Sequence, residues 1–66
     1  MSEERLLRLP AVESLTGLRR AHLYALARNG RFPRPLKIGA RASAWQASKV
    51  HAWIADRIRE AKEGQR

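Results

Sequence analysis

Residues 9–30, LPAVESLTGLRRAHLYALARNG, decide the fold because they predict two short helices separated by a glycine turn. Pro10 suits the first turn of a helix, where its missing N–H would have no partner in any case. Gly17 and Gly30 follow the two apolar segments, and glycine often ends a helix in the left-handed conformation. Two short helices joined by such a turn predict a helix-turn-helix.

The two sides of the second predicted helix, residues 19–29, differ in chemistry. At about 100° per residue, Leu23, Leu26 and Ala27 fall on one side and predict a contact with the core. The other side is small, aromatic and basic, and it consists of Ala21, Tyr24, Ala25 and Arg28, flanked by Arg20 and His22. Such a side favours a negatively charged partner.

Residues 36–45 predict a small β-hairpin. It follows a connector in which Pro33 and Pro35 prevent a helix. The chain alternates over residues 36–38, can turn after them, and returns toward Trp45. Residues 5–9 predict a short strand or an extended lead-in.

A last amphipathic helix is predicted to start near residues 46–48. Its apolar stripe contains Ala47, Val50, Trp53, Ile54, Ile58 and Ala61. We therefore expect both Trp45 and Trp53 in the core. On the outer face, Arg59 is expected to pair with Asp56 and Glu63.

The charges are strongly segregated along the chain. The formal net charge is +8, from 14 basic and 6 acidic residues, and no acid lies between Ser14 and Ala55. That acid-free stretch contains the basic residues Arg19, Arg20, Arg28, Arg31, Arg34, Lys37, Arg41 and Lys49. A solubilising excess of arginine is the alternative, but solvated surfaces usually mix the two signs. The segregation therefore favours a polyanion, and nucleic acid is the commonest such partner.

Composition argues against several other classes. With Cys 0, the chain has no disulfide and no thiol catalyst, and its two histidines make a zinc site improbable. No nucleophile has a positioned base, so we expect neither an enzyme, nor a cofactor, nor a small-molecule substrate. The start of the chain lacks an apolar signal core, and no apolar run is long enough to cross a membrane. We expect a cytoplasmic, nucleoid-associated protein.

Three stretches in this order, LPAVESLTGLRRAHLYAL, GRFPRPLKIGARASAW and KVHAWIADR, resemble the AlpA-type phage regulators and the related small excisionases. The resemblance covers about residues 9–57, and RFPRPLKIG followed by a Trp and a V-x-x-W-I helix is its most specific part. It implies a mainly α fold with a small β-hairpin, the MerR-like winged helix-turn-helix DNA-binding domain. In that fold the second helix, residues 19–29, enters the major groove, and the wing, residues 36–45, lies on the backbone or the minor groove.

The chain departs from the family pattern at the start of the second helix. Members commonly have Ser-Arg-Ser-Thr-Ile-Tyr-Arg where residues 19–25 are RRAHLYA. Arg19 thus replaces a hydroxyl that would cap the helix, at a cost of about 1 kcal/mol. The resemblance therefore implies the docking mode but not the target DNA sequence.

Seven residues are the candidate DNA contacts. They are Arg19, Arg20, His22, Tyr24, Arg28, Lys37 and Arg41. An arginine can pair with guanine or bind phosphate, a tyrosine hydroxyl can reach phosphate, and a basic wing residue can reach phosphates or a narrow minor groove. Arg31 and Arg34 are expected to be solvated or to contact phosphate at the periphery.

Each candidate also has an ordinary structural explanation. Tyr24 could lie over Arg28 on a wet helix face, and Arg28 could simply favour the helix dipole. Arg19 could be a neutral substitution at a position that tolerates many residues, and His22 could be half-buried. Lys37 and Arg41 could be ordinary exposed residues of a turn.

We expect one domain, residues 9–62, with an N-terminal lead-in, residues 1–8, and a C-terminal tail, residues 63–66. Its predicted function is sequence-specific binding of double-stranded DNA as a phage or prophage transcriptional regulator. The alternative is an excisionase that bends attachment-site DNA, and a third hypothesis is a protein-interaction adaptor or antitoxin. Expected partners besides DNA are an integrase or other recombinase, RNA polymerase, or further copies that bind DNA cooperatively.

Overall fold

The computed structural model describes residues 4–64, which form three helices and three short strands. In chain order these are β1 (Leu6–Leu7), α1 (Leu9–Thr16), α2 (Arg20–Arg28), β2 (Leu36–Gly39), β3 (Ala42–Gln46) and α3 (Ala47–Glu63). The chain is mainly helical with a small antiparallel sheet, which confirms the predicted winged helix-turn-helix fold. None of the described helices is both long and apolar enough to cross a membrane.

The turn between α1 and α2 is built from three consecutive residues. Gly17 has a φ of 77°, and its N–H donates to the carbonyl oxygen of Glu13 at 2.8 Å. The hydroxyl of Thr16 donates to the carbonyl oxygen of Val12 at 2.8 Å, and it accepts from the N–H of Leu18 at 3.2 Å. Because the left-handed conformation favours glycine, Gly17 fixes where α1 ends and so where α2 begins.

The sheet has the strand order β1-β3-β2, with β3 in the centre. On one side of β3, Leu7 pairs with Trp45 in antiparallel register. On the other side, Leu36 pairs with Ala44, and the register shifts between Lys37 and Gly39. The predicted lead-in, residues 1–8, thus contributes a strand to the same sheet as the wing, although residues 1–3 lie outside the described part. At the other end, α3 continues to Glu63, and residues 65–66 are likewise not described.

Trp45 lies at the centre of the core, as predicted. It is fully buried together with Val12, Leu23 and Val50. Its indole N–H donates to the carbonyl oxygen of Pro33 at 2.8 Å, so the buried donor has a partner.

Trp53 is half-buried, so its prediction as a core residue is only partly right. Its ring packs edge-on against Phe32 with a centroid distance of 5.0 Å, and its N–H donates to the carbonyl oxygen of Arg31 at 2.7 Å. The predicted stripe is wrong further along, because Ile58 is 51% exposed and Ala61 is exposed. A helix of 17 residues is about 25 Å long and extends past the small core that it packs on.

The outer face of α3 carries two ion pairs. Arg59 lies 3.1 Å from Asp56, as predicted, and Arg57 lies 2.7 Å from Glu60. Among the described residues, Arg59 makes no ion pair with Glu63. Both pairs are exposed, so each contributes little to stability.

The start of α3 is capped by a residue far away in the sequence. Gln46 at the N-cap position makes no side-chain cap hydrogen bond. Instead the carboxylate of Glu4 accepts from the hydroxyl of Ser48 at 3.0 Å and from its N–H at 3.3 Å, and the N–H of Ala47 donates to the carbonyl oxygen of Arg5 at 2.7 Å. The Ser48 hydroxyl and N–H hold the pKa of the Glu4 carboxyl below its ordinary value.

This cap predicts a pH-dependent contribution to stability. Because the pKa of Glu4 is lowered in the folded state, its contribution is present above the ordinary value of 4.5 and is lost as the pH falls through the folded-state pKa. We expect Glu4→Gln to lower the melting temperature at pH 7. Circular dichroism melts should show the difference between variant and wild type shrinking as the pH falls through the folded-state pKa of Glu4, because its protonated side chain is then neutral like that of Gln.

Glu63→Gln is the matched control, since it removes an exposed carboxylate at the other end of α3. It should not lower the melting temperature at pH 7. An equal decrease in melting temperature for both variants would mean that the change in net charge, and not the loss of the cap, is the cause.

Candidate nucleic-acid interface

Helix α2 is anchored by its inner side and presents a basic outer side. Leu23 and Ala27 are buried and Leu26 is half-buried, so the predicted inner side is confirmed. On the predicted outer side, Arg20, Ala21, His22 and Arg28 are exposed, whereas Tyr24 and Ala25 are half-buried. The half-buried alternative for His22 is therefore wrong.

Arg19 stands at the N-cap position of α2 in an extended conformation, with φ −87° and ψ 163°. Its carbonyl oxygen accepts from the N–H of Leu23 at 2.9 Å, but its side chain makes no cap hydrogen bond. The first turn of α2 thus has neither a side-chain cap nor an acidic residue. Its partial positive charge adds to those of Arg19 and Arg20, which raises the local attraction for an anion.

Tyr24 connects α2 to the wing and is not a freely exposed residue of the outer side. Its ring is tilted against the ring of Trp45 with a centroid distance of 5.8 Å, and the residue is half-buried. The guanidinium carbon of Arg20 lies 5.8 Å from the centroid of the Tyr24 ring. The tyrosine thus stacks with the arginine one turn before it, where the sequence suggested Arg28, one turn after it. Cation–π contact at this distance restrains the Arg20 side chain.

A shallow cleft of about 390 Å³ lies between α2 and the wing. Arg20 and Tyr24 line it from α2, Arg41 and Ser43 line it from the hairpin, and Arg8 lines it from the start of α1. Three of the seven predicted contacts therefore come together here. No acidic residue of the described chain lines this cleft, so three guanidinium groups share it without a compensating carboxylate.

A second groove of about 360 Å³ lies on the other side of Tyr24. It brings Arg28 of α2 together with Arg34 of the connector, and Ala27 and Pro35 complete its lining. Arg34, which the sequence placed at the periphery, is thus next to a predicted contact. The two basic clefts share Tyr24 as their common wall.

The other predicted contacts lie outside both clefts. Arg19 and His22 are exposed near the start of α2. Lys37 is exposed on β2 and pairs with Ser43, so it lies on the same face of the sheet as the first cleft.

Arg8 and Ser43 are cleft residues that the sequence did not reveal. Arg8 precedes the acid-free stretch and reaches the cleft only because β1 pairs with β3. Its position immediately before a helix that starts with Leu-Pro was the only local signal. Ser43 is recognisable once the hairpin register is known, because it pairs with Lys37.

The acids of α3 lie on a different part of the surface. Asp56 and Glu60 line a groove of about 660 Å³ together with Arg31, Trp53 and Arg57. Both carboxylates are already in ion pairs with arginines of α3. In the described part of the chain, no group of three or more His, Cys, Asp or Glu residues is placed to hold a metal ion.

Comparison with known proteins gives two matches. The family model described as "Prophage CP4-57 regulatory protein (AlpA)" matches residues 5–58, which include both helices of the helix-turn-helix, the whole hairpin and most of α3. The chain is also 44% identical over 64 residues to the "Uncharacterized protein ORF88" of Enterobacteria phage P4. That alignment covers 97% of this chain and 73% of the phage P4 protein.

The position of Tyr24 predicts which of its atoms matter for stability. Tyr24→Ala should destabilise the fold by about 1–3 kcal/mol, because it removes a ring that packs on Trp45. Tyr24→Phe keeps that ring and should stay within about 0.5 kcal/mol of wild type. Urea unfolding followed by tryptophan fluorescence measures both values, and equal stability of wild type and Tyr24→Ala would mean that the ring contributes nothing to joining α2 and the wing.

Proposed function

The chain belongs to the AlpA family of phage regulatory proteins, and from this premise we propose that it binds double-stranded DNA sequence-specifically, without catalysis, as a transcriptional regulator. The observation that carries the proposal is the cleft in which Arg20 of α2 and Arg41 of the wing stand together with no acid beside them. Two elements that approach DNA from different directions would share one basic surface there.

In this proposal, α2 enters the major groove with its exposed side. A helix fits the major groove, which is about 12 Å wide. Arg20 lies at the first turn, where the residues of a recognition helix meet base edges. Its stacking on Tyr24 restrains the side chain before DNA binds, which lowers the entropy cost of a bidentate contact with guanine. Ala21 is small and exposed, so it allows a close approach of the helix backbone.

The wing supplies contacts of another kind. Arg41 lies in the turn between β2 and β3 and is exposed, as is Lys37 on the same sheet face as the cleft. Basic residues on such a tip suit phosphates or a narrow minor groove, which hold the protein in place without specifying the sequence. Arg8 and Arg28 with Arg34 extend the same basic surface on either side of Tyr24.

The same surface would serve an excisionase that bends attachment-site DNA and recruits an integrase. We put the regulator first because the matching family model describes a regulatory protein. Contact with RNA polymerase or with an integrase, and residence at the nucleoid, belong to this proposal. The adaptor or antitoxin comes last, since the exposed residues of α2 include no large aliphatic side chain that would form a hot spot.

The first test is selection of a binding site from random duplexes, followed by a salt titration on the selected site. If four to six basic residues contact phosphates, log K should fall with log salt at a slope of about −4 to −5. Enrichment of no sequence, or a salt-independent complex, would contradict the proposal.

The second test separates sequence recognition from backbone contacts. Arg20→Ala should lose about 1–3 kcal/mol of binding free energy on the selected site. It should also reduce the ratio of the affinity for the selected site to the affinity for random DNA. Arg41→Ala should weaken binding to the selected and the random duplex by similar factors, because a contact between the wing and a phosphate does not depend on sequence.

Arg59→Ala is the control for net charge. Arg59 pairs with Asp56 on α3 and lines neither basic cleft. Its loss changes the charge by the same amount and should alter binding by less than about twofold. If Arg20→Ala lowers the affinity for the selected and the random duplex equally, Arg20 contacts the DNA backbone and does not read bases.

A further inference from the structure

The connector between α2 and β2 is anchored on both sides of Arg34. Before it, Phe32 is buried and packs edge-on against the ring of Trp45 with a centroid distance of 6.5 Å. The carbonyl oxygen of Pro33 accepts from the indole N–H of Trp45 at 2.8 Å. After it, β2 begins at Leu36 and pairs with β3. The backbone of Arg34 therefore has little freedom to move.

The two prolines restrict the same residue locally. Pro33 has its own φ fixed near −65°, and Pro35 confines the residue before it to extended conformations. The side chain of Arg34 is nevertheless exposed, and neither ion pair of the described residues includes it. The fold thus fixes the position of an arginine that has no structural partner of its own.

Arg34 shares the second groove with Arg28, the last residue of α2. Arg28 is exposed and lies at the end of the helix where a positive charge is favourable. The helix dipole gives no reason for a second arginine in the same groove, because two like charges repel each other. No acidic residue of the described chain lines this groove, so an anion from outside the chain would relieve the repulsion.

The walls of the second groove are largely apolar. Tyr24 and Pro35 are half-buried, and Ala27 is buried. Apolar walls reduce the competition from water and strengthen a charge-assisted hydrogen bond formed beside them. A guanidinium presents several N–H groups in one plane, which matches the oxygen atoms of a phosphate. The groove therefore suits a compact anion with several oxygen atoms.

This groove is too far along α2 to share an anion with the first cleft. Arg20 and Arg28 are eight positions apart in one helix, which corresponds to about 12 Å along its axis. One phosphate group cannot contact both. A DNA strand carries a phosphate at every nucleotide, so a duplex that occupies the first cleft can supply a second phosphate to this groove.

We propose that the second groove binds one phosphate of the DNA backbone between Arg28 and Arg34. This inference rests on the proposed function and adds the connector to α2 and the wing as a third element that contacts DNA. A phosphate contact carries no information about sequence, but it fixes the position of a protein on the duplex. The connector thus helps to set how α2 lies in the major groove.

Arg31 provides the matched control within the same connector. It is exposed like Arg34, but it lines the groove on α3 together with Asp56 and Glu60. Arg31→Gln removes the same charge from the same segment without touching the second groove. It should bind DNA within about twofold of wild type.

The first test measures affinity and its salt dependence. Arg28→Gln and Arg34→Gln should each bind the selected and the random duplex about three- to tenfold more weakly at about 0.1 M salt. Because both arginines contact one phosphate, the double variant should lose less affinity than the product of the two single losses. Its salt slope should become shallower by about 0.9, whereas loss of two separate phosphates would change the slope by about 1.8.

The second test locates the phosphate on the selected duplex. Each phosphate is replaced in turn by an uncharged methylphosphonate. One such replacement should weaken the binding of wild type by about three- to tenfold. The same replacement should change the binding of Arg28→Gln and of Arg34→Gln by less than about twofold, because their contact with that phosphate is already lost. Arg31→Gln should respond to it as wild type does.

Three results would overturn the phosphate site. They are wild-type affinity of Arg34→Gln, equal losses for Arg31→Gln and Arg34→Gln, and different methylphosphonate positions that become silent in Arg28→Gln and in Arg34→Gln. In each case wild type still binds its selected site, so the proposed function is retained. Wild type that selects no sequence and binds no duplex rejects the proposed function and the phosphate site together. All three replaced side chains are exposed, so the variants should melt as wild type does, which circular dichroism checks.

Discussion

The burial of Trp45 is the interaction on which the arrangement of the other elements depends. The centroid of its ring lies 5.8 Å from that of Tyr24 in α2 and 6.5 Å from that of Phe32 in the connector. Its indole N–H donates to the carbonyl oxygen of Pro33. Its backbone pairs with Leu7, so the same residue joins the sheet to the helices. In a domain with so few fully buried side chains, one ring thus sets the distance between α2 and the wing, and with it the width of the basic cleft.

The stabilising contacts and the basic surface are separated in space. Arg19 leaves α2 without a cap, and Arg8, Arg20 and Arg41 share a cleft without a carboxylate, which are both unfavourable in the isolated domain. The compensating contacts are placed elsewhere. Glu4 caps α3 from across the sheet, and the acids of α3 pair with arginines of the same helix, so no carboxylate of these groups neutralises the cleft. A bound polyanion would relieve the repulsion that remains.

The local signals in the sequence were sufficient for the helices and the hairpin, whereas residues 5–9 were left open between a strand and an extended lead-in. Gly17, the two prolines of the connector and the spacing around Leu23 act within a few residues, and the turn, hairpin and α2 were predicted from them. Burial of Trp53 was predicted only in part, because helical periodicity shows which side of α3 is apolar but not where the core beneath it ends.

The composition of the cleft was harder to predict, because it depends on contacts between distant parts of the chain. Arg8 and Arg41 line the same cleft because Leu7 pairs with Trp45, and no local pattern encodes that pairing. The helical wheel placed Tyr24 on the outer side, but it contains no information about the hairpin that covers part of the Tyr24 ring. Charge segregation identified the basic surface, whereas the grouping of its members required the sheet register.

That register decides which side chains of β3 face the core and the first cleft. Because side chains alternate with a period of two, a shift of β3 by one residue would turn Trp45 and Ser43 away from the core and the first cleft. The buried position of the Trp45 ring and the basic cleft would be lost in the same step. The bulge at Ile38 and the pairing of β1 with β3 both fix β3 in its place. The short hairpin therefore specifies both the burial of the Trp45 ring and the basic cleft, and the residues of β2 and β3 are constrained by both.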